Sequence, residues 1–204
     1  VSGSPELRQQ LSGASYDVAS QLLGCTLTHA DEEGTVSVQL TEVEAYSGEE
    51  DPASHAFRGR TPRNEVMFGV AGRLYVYRSY GLHWCCNIVT GDDGVASAVL
   101  LRAGRVVEGM ELAQRRRGER VPVHGLARGP GCLTQALGLT HEQNGVDLLE
   151  SHVLRLVPGG RLDPSGIAAG HRVGVRLAHD VPWRFWVEGD PTVSAYKRSP
   201  RATS

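Results

Sequence analysis

The sequence sets Glu42-Val43-Glu44-Ala45-Tyr46 ahead of Asp51, His55 and the run Arg58-Gly59-Arg60-Thr61-Pro62-Arg63-Asn64. Two carboxylates and a phenol at alternate positions suit the cutting of a bond by an activated water, because a carboxylate poised beside an aromatic ring can act as general base. From Val36 the even positions read Val36, Val38, Leu40, Glu42, Glu44 and Tyr46, and the odd ones are mostly small or polar. Side chains alternate along a strand, so this pattern puts both carboxylates and the tyrosine on the apolar, core-facing side. A carboxylate there must be paired, hydrogen-bonded or held in a cleft with a raised pKa. The alternative is a bulge after Leu40 that turns both glutamates to solvent.

Local signals suggest the elements that position these groups. Ser4-Pro5-Glu6 reads as a helix start with Ser4 as N-cap, and Asp17 as the cap of a second helix through Leu22-Leu23, stopped by Gly24. Residues 25–30 and 35–46 read as a hairpin around Asp31-Glu32-Glu33-Gly34. Strands follow at 73–81, 83–89 and 95–103, the last two joined by the Gly91-Asp92-Asp93-Gly94 turn. Residues 107–117 form an amphipathic pattern, 118–123 a loop, and Gly129-Pro130-Gly131 a helix start whose exposed N–H groups offer a phosphate seat. Short strands are expected at 153–157, 172–177 and 184–187. The chain therefore reads as one α/β domain of mixed α+β type over residues 1–204, with a curved, largely antiparallel sheet and surrounding helices. N-terminal helices fill 1–24, a catalytic core 25–190, and a loosely held tail 191–204.

Tyr75, Tyr77 and Tyr80, with His83 and Trp84 behind them, gather much of the aromatic surface in one region. Strand aromatics commonly serve a core; Tyr80 is set apart by Gly81, which marks a tight, exposed turn. The net charge of −2 does not suggest nucleic acid, but its distribution does. Residues 31–54 carry eight acidic side chains and no Lys or Arg, whereas 58–78 carry Arg58, Arg60, Arg63, Arg73 and Arg78 against Glu65 alone. Arg115-Arg116-Arg117, Arg120 and Arg128 form a second basic stretch, which read alone is a solvated helix end. Such segregation permits a positive face for phosphates. Lys197 is the only lysine, so a Schiff-base nucleophile is not expected.

At 204 residues the chain can bury roughly 70% of its unfolded surface. No run is long and apolar enough for a signal peptide or a membrane span. Cys25, Cys85, Cys86 and Cys132 form no C-x-x-C pair, which argues against a zinc site or a disulfide framework and for a reducing, cytoplasmic setting.

The ordered set Glu42-Val43-Glu44-Ala45-Tyr46, His55, Thr61-Pro62-Arg63-Asn64, Met67-Phe68, Leu74-Tyr75-Val76-Tyr77, Tyr80-Gly81, Asn87, Val99-Leu100-Leu101-Arg102-Ala103, Gly129-Pro130-Gly131 and Arg172-Val173-Gly174-Val175 resembles the alkyladenine (3-methyladenine) DNA glycosylases of base excision repair. The resemblance implies a monofunctional enzyme that hydrolyses the N-glycosidic bond of a damaged purine flipped out of duplex DNA. It implies that Glu44 activates the water, with Arg102 and the Val173 carbonyl holding it, and that Tyr46, His55 and Tyr77 wall the flipped base. By the same resemblance Asn87 disfavours normal guanine and Tyr80 fills the gap in the duplex. Arg60, Arg63, Arg128 and Gly131 are candidates for the DNA backbone. No metal or other cofactor is implied, and a monomer at the nucleoid, away from membranes, is expected.

This sequence departs from the family pattern at Cys132, where lysine is usual, at Arg128, where a small polar residue is usual, and at His83-Trp84. Arg128 could replace the lost phosphate contact, and His83-Trp84 could reshape the lesion pocket. Taken singly, His55 suits a polar loop, Asn87 a strand end, and Arg102 an ion pair with Glu42 or Glu44. Two rival classes remain: a glycoside hydrolase using Glu42 and Glu44, roughly 6.5–7 Å apart along a strand, and a nucleic-acid-binding module with no need of Glu44.

Overall fold

In the computed structural model, residues 4–160 and 162–202 are described. Eight strands form one sheet: β1 (Thr26–Asp31), β2 (Gly34–Tyr46), β3 (Leu74–Ser79), β4 (His83–Val89), β5 (Ala98–Glu108), β6 (Leu154–Val157), β7 (Ile167–Gly170) and β8 (Arg184–Val187). Their order is β3-β4-β5-β2-β1-β6, with β8 also on β2 and β7 on β8, and every pairing is antiparallel. Among the described residues four α-helices accompany it, α1 (Ser4–Leu11), α2 (Ser15–Val18), α3 (Met110–Arg117) and α4 (Pro130–Leu137). This is the mixed, single-domain fold the sequence suggested.

The long β2 organises the sheet. One edge pairs with β5 along most of its length; the other pairs with β1 as far as Gln39 and with β8 from Glu42 to Glu44. Where the neighbour changes, the β2–β5 register slips twice, between Leu40 and Glu42 and again between Glu42 and Val43. Thr41 and Arg102 are the residues left out of the ladder, one on each strand, so the two slips cancel. The slips invert the alternation of faces. Val36, Val38 and Leu40 belong to the main core, and beyond the slip Val43 and Ala45 take over. Glu42, Glu44 and Tyr46 therefore lie on the face opposite Leu40, which corrects the expectation that they continue it. The irregularity falls where the bulge was weighed, yet neither glutamate reaches solvent: both are 0% exposed. Gly104 permits the close approach at this point, since a Cβ there would sit 2.4 Å from the Gln39 carbonyl and from Val38 Cγ1.

Other boundaries differ in ways that have local causes. The second helix begins after Ala14 without a side-chain cap and tightens to a 3-10 turn over Ala19–Leu22, with Asp17 inside it and not at its cap. The Ser4 side chain lies outside the described residues. β5 continues through Gly104 to Glu108, and α3 starts only at Met110, where Gly109 (φ 72°) turns the chain. Residues 172–177 form no strand and run as an irregular loop. α4 matches its signals, with Pro130 in its first turn and Gly138 (φ 70°) beyond its end. The stretch from Pro191 is not loosely held throughout: Thr192 is buried and bonds Thr41 (2.7 Å), and Ser194 and Lys197 are hydrogen-bonded to Glu42 and Gly174.

Candidate active site

The inverted half of β2 delivers both carboxylates into a cluster of arginines. Glu42 accepts from Arg102 Nε (2.7 Å), Arg184 Nε (2.8 Å), Ser194 Oγ (2.9 Å) and the Ser194 N–H (2.7 Å). Burial alone would raise the Glu42 carboxyl, but the charges of Arg102 and Arg184 and the Ser194 N–H hold it below the usual carboxylate value. It is thus a fixed anion with its oxygens engaged, which does not suit one half of a glycoside-hydrolase pair. Its charge orients Arg102, whose other end, Nη1, lies 3.3 Å from Glu44 Oε2. Burial disfavours the Arg102 charge, yet Glu44 and Glu42 together keep its pKa raised.

Glu44 is held differently. Its Oε1 accepts from the Val173 N–H (2.6 Å) and its Oε2 from the Tyr46 hydroxyl (2.9 Å). Burial, then the Glu44 and Tyr77 charges, push Tyr46 well above the ordinary phenol value, so it stays a donor. Two hydrogen-bond donors and the Arg102 cation meet a group with about four lone-pair sites. These contacts tie the carboxylate, itself 0% exposed, to three residues that line a cavity of about 680 Å³, Tyr46, Arg102 and Val173.

β3 and the loop before it build the facing wall. Tyr75 and Tyr77, two apart on β3, share a face with ring centroids 5.6 Å apart. His55 stands edge-on to Tyr77 (4.5 Å, 89°), its Nδ1 3.2 Å from the Tyr75 hydroxyl. The loop carrying His55 is pinned by the buried Asn64, whose Nδ2 donates to the carbonyls of His55 and Gly59 while its Oδ1 accepts from the Thr61 N–H. His55 is solvent-accessible at the rim, yet desolvation by the surrounding wall, and secondly Arg63, lower its pKa. Asn87 on β4 donates from Nδ2 to the Tyr75 carbonyl (3.3 Å) and lines the cavity. Cys85 lines it too, while Cys86 enters the core on the opposite face.

The β3–β4 hairpin ends in a turn with positive φ at both central residues, Tyr80 (49°) and Gly81 (69°), closed by Leu82 N–H to the Ser79 carbonyl (2.9 Å). Tyr80 is 91% exposed and Leu82 73%. A non-glycine residue in that conformation is strained, and this one presents a large ring at the cavity rim.

A family model described as methylpurine-DNA glycosylase matches residues 9–191. The chain belongs to that family. The glycosylase is an enzyme, a hydrolase of N-glycosyl bonds with DNA as its substrate. It is 52% identical over 194 residues to a protein of Rhodococcus jostii (strain RHA1), covering 92% of this chain and 84% of the other. It is 50% identical over 190 residues to one of Mycobacterium sp. (strain KMS), covering 90% of each, and 48% identical over 201 residues to one of Leifsonia xyli subsp. xyli, covering 95% and 93%. Each of these relatives is provisionally named a 3-methyladenine DNA glycosylase.

In this glycosylase Arg102, Val173, Tyr46, His55, Tyr77, Asn87 and Tyr80 line one cavity; Glu44, fully buried, does not line it but is bonded to Tyr46, Arg102 and Val173. Val173 meets Glu44 through its N–H. The backbone candidates are more scattered. Arg63 lines the cavity and donates to the Arg78 carbonyl (3.3 Å); Arg60 packs over Phe68. Arg128 is exposed but commits Nε to the Val193 carbonyl (2.8 Å). Gly131 abuts His83, where a Cβ would lie 3.0 Å from the His83 Cβ. Arg117, on α3, reaches Cys132 Sγ (2.9 Å) and so brings a cation to the helix start that lacks the family's lysine. His83 and Trp84 are not among the cavity-lining residues. Sequence reasoning missed Asp51–Arg172, Arg184 and Ser194 as parts of the site; only Asp51 stood in the run first singled out. Among the described residues no His, Cys, Asp and Glu group could hold a metal ion, and no helix is long and apolar enough to cross a membrane.

Proposed function

We propose that the enzyme hydrolyses the N-glycosidic bond of alkylated or deaminated purines flipped out of duplex DNA, with a water activated by Glu44, and leaves an abasic site. The observation that carries this reading is the Glu44 carboxylate, held by Val173, Tyr46 and Arg102, which line the floor of a cavity walled by aromatic rings. A flipped purine held by stacking on Tyr77 and the edge of His55 would put its C1′ toward that floor. The remaining lone pair of Glu44 takes the water's proton as the bond to the base breaks, and the carboxylate stabilises the cationic sugar. Ring-alkylated purines such as 3-methyladenine and 7-methylguanine are cationic, good leaving groups that stack well on tyrosines. Neutral hypoxanthine and ethenoadenine additionally need a proton on the departing base.

Tyr80, held out from the hairpin tip, fills the space that the flipped nucleotide vacates, and Arg60, Arg63, Arg128 and the Gly131 N–H meet the backbone. The lone lysine, Lys197, is exposed and is not among the cavity-lining residues, which supports hydrolysis without a Schiff base. The enzyme works as a monomer, and its substrate places it at the nucleoid. Single-turnover release from duplexes carrying one defined lesion tests the reading. Glu44→Gln should keep duplex binding and lose release; equal release by both proteins would move the base elsewhere.

A further inference from the structure

We propose that Arg172 is the positioning residue of this site, its buried guanidinium setting the place of both groups that donate to Glu44. The inference rests on Glu44 being the base. The Arg172 and Asp51 side chains are both 0% exposed. Arg172 Nη1 donates to Asp51 Oδ2 and to the Ala45 carbonyl (3.0 Å), and Nη2 to Asp51 Oδ1 (2.9 Å) and the Ala178 carbonyl (3.2 Å). The guanidinium carbon lies 4.8 Å from the Tyr46 ring centroid and 5.2 Å from that of Trp183, so the cation is packed between two rings. One side chain thereby joins the end of β2, the turn at Asp51 and both ends of the irregular loop before β8.

The two ends of this clamp are the two donors to Glu44. Val173, one peptide bond away, gives its N–H to Oε1; Tyr46, under the guanidinium, gives its hydroxyl to Oε2. No strand or helix fixes residues 171–183, and Ala178 is held at φ 46°, a conformation that persists only when its surroundings over-determine it. The Ala178 carbonyl is one of the clamp's acceptors. Arg172 Nε is buried without a partner among the described residues. Apolar residues often replace a buried ion pair at no loss of stability, so core filling alone does not account for this one. Placement does.

Glu44 is also faced by Arg102 from β5, Tyr77 from β3 and Glu42 on its own strand, with Arg184 of β8 as its ladder partner. These are the same in an Arg172 variant, but Arg172→Met also removes a cation and leaves Asp51 unpaired, so Trp183→Leu, which leaves the ion pair, is measured beside it. Donors to a carboxylate favour its charged form. Displacing them in Arg172→Met should slow single-turnover release about 100-fold, the scale expected for a displacement of about 1 Å. Duplex affinity should be unchanged, and the acid limb of the rate–pH profile should move to higher pH. Arg172→Lys, which keeps the charge, should recover part of the rate. Wild-type rate and limb in folded Arg172→Met would overturn the inference. Should that variant not fold, Trp183→Leu removes one stacking face and leaves the ion pair; its acid limb should move the same way, and an unmoved limb overturns the proposal. Glu44→Gln, run alongside, separates the failures. If it releases base at the wild-type rate, the reading of Glu44 falls and this inference with it; if it is inactive while Arg172→Met is normal, only this inference falls.

Discussion

Glu42→Gln isolates the electrostatic core of the site with almost no change in volume. The carboxylate, itself 0% exposed, receives two buried guanidinium Nε groups and both donors of Ser194, all within 2.7–2.9 Å. An amide can accept on one side only, so either the arginines or Ser194 would face an NH₂ group. Arg184 loses its carboxylate altogether. Removing one partner of a buried ion pair costs about 3–5 kcal/mol. For a chain of this size about 2–4 °C of Tm accompanies each kcal/mol, so Tm should fall by roughly 6–20 °C. The Glu42 carboxyl is depressed in the folded state, so its contribution is complete above the unfolded value near 4.5 and fades as pH falls through the lower folded value. Urea unfolding of both proteins from pH 7 downward should show a full gap at neutral pH that narrows as pH falls below about 4.5. A gap below about 0.5 kcal/mol at pH 7, the range of an ordinary surface change, would refute the reasoning. So would a gap that widens on acidification.

Tyr80→Gly should stabilise the hairpin by about 1–2 kcal/mol, because it relieves a left-handed backbone, while lesion release from duplex falls. Thermal scans and single-turnover assays read the two effects separately. Gly104→Ala should cost about 1–3 kcal/mol or more through the contact with the Gln39 carbonyl, visible as a lower urea midpoint with an unchanged slope. His55 should titrate below 6.5 by NMR. The unfolded chain binds that proton first, so His55 makes stability decline as pH drops from about 6.5 toward the folded value, then level off. A titration at or above 6.5 would contradict the described wall.

Much of the fold was legible because it is set by near neighbours. Gly34, Gly91 and Gly94 mark real turns, Pro130 and Gly138 bound a real helix, and Gly81 does mark an exposed tip. The inverted face of Glu42 and Glu44 was not, since Thr41 slips out of register only together with Arg102, a residue distant in sequence. Val173, Val175 and Leu177 alternate as a strand would, but no partner strand lies beside them, and a buried arginine holds the segment instead. The strand read over 95–103 runs on through Gly104, where the missing side chain lets two strands approach closely. The site residues themselves were legible as types and order; their bonding was not, because Ser194 and Arg184 reach Glu42 from the far end of the chain.

That reach has a consequence for how the molecule comes into being. Ser194 grips Glu42 across 152 positions. A ribosome adding about 5–20 residues per second needs roughly 8–30 s to make that interval. Arg102, 60 positions on, can meet the carboxylate early in that interval, but three of its four hydrogen bonds wait for Arg184 and Ser194, while the β1–β2 hairpin, a local pairing, can already form. The nascent sheet has to wait, half wet, for Arg184 and Ser194 to emerge. The surroundings of Glu42 are therefore completed late.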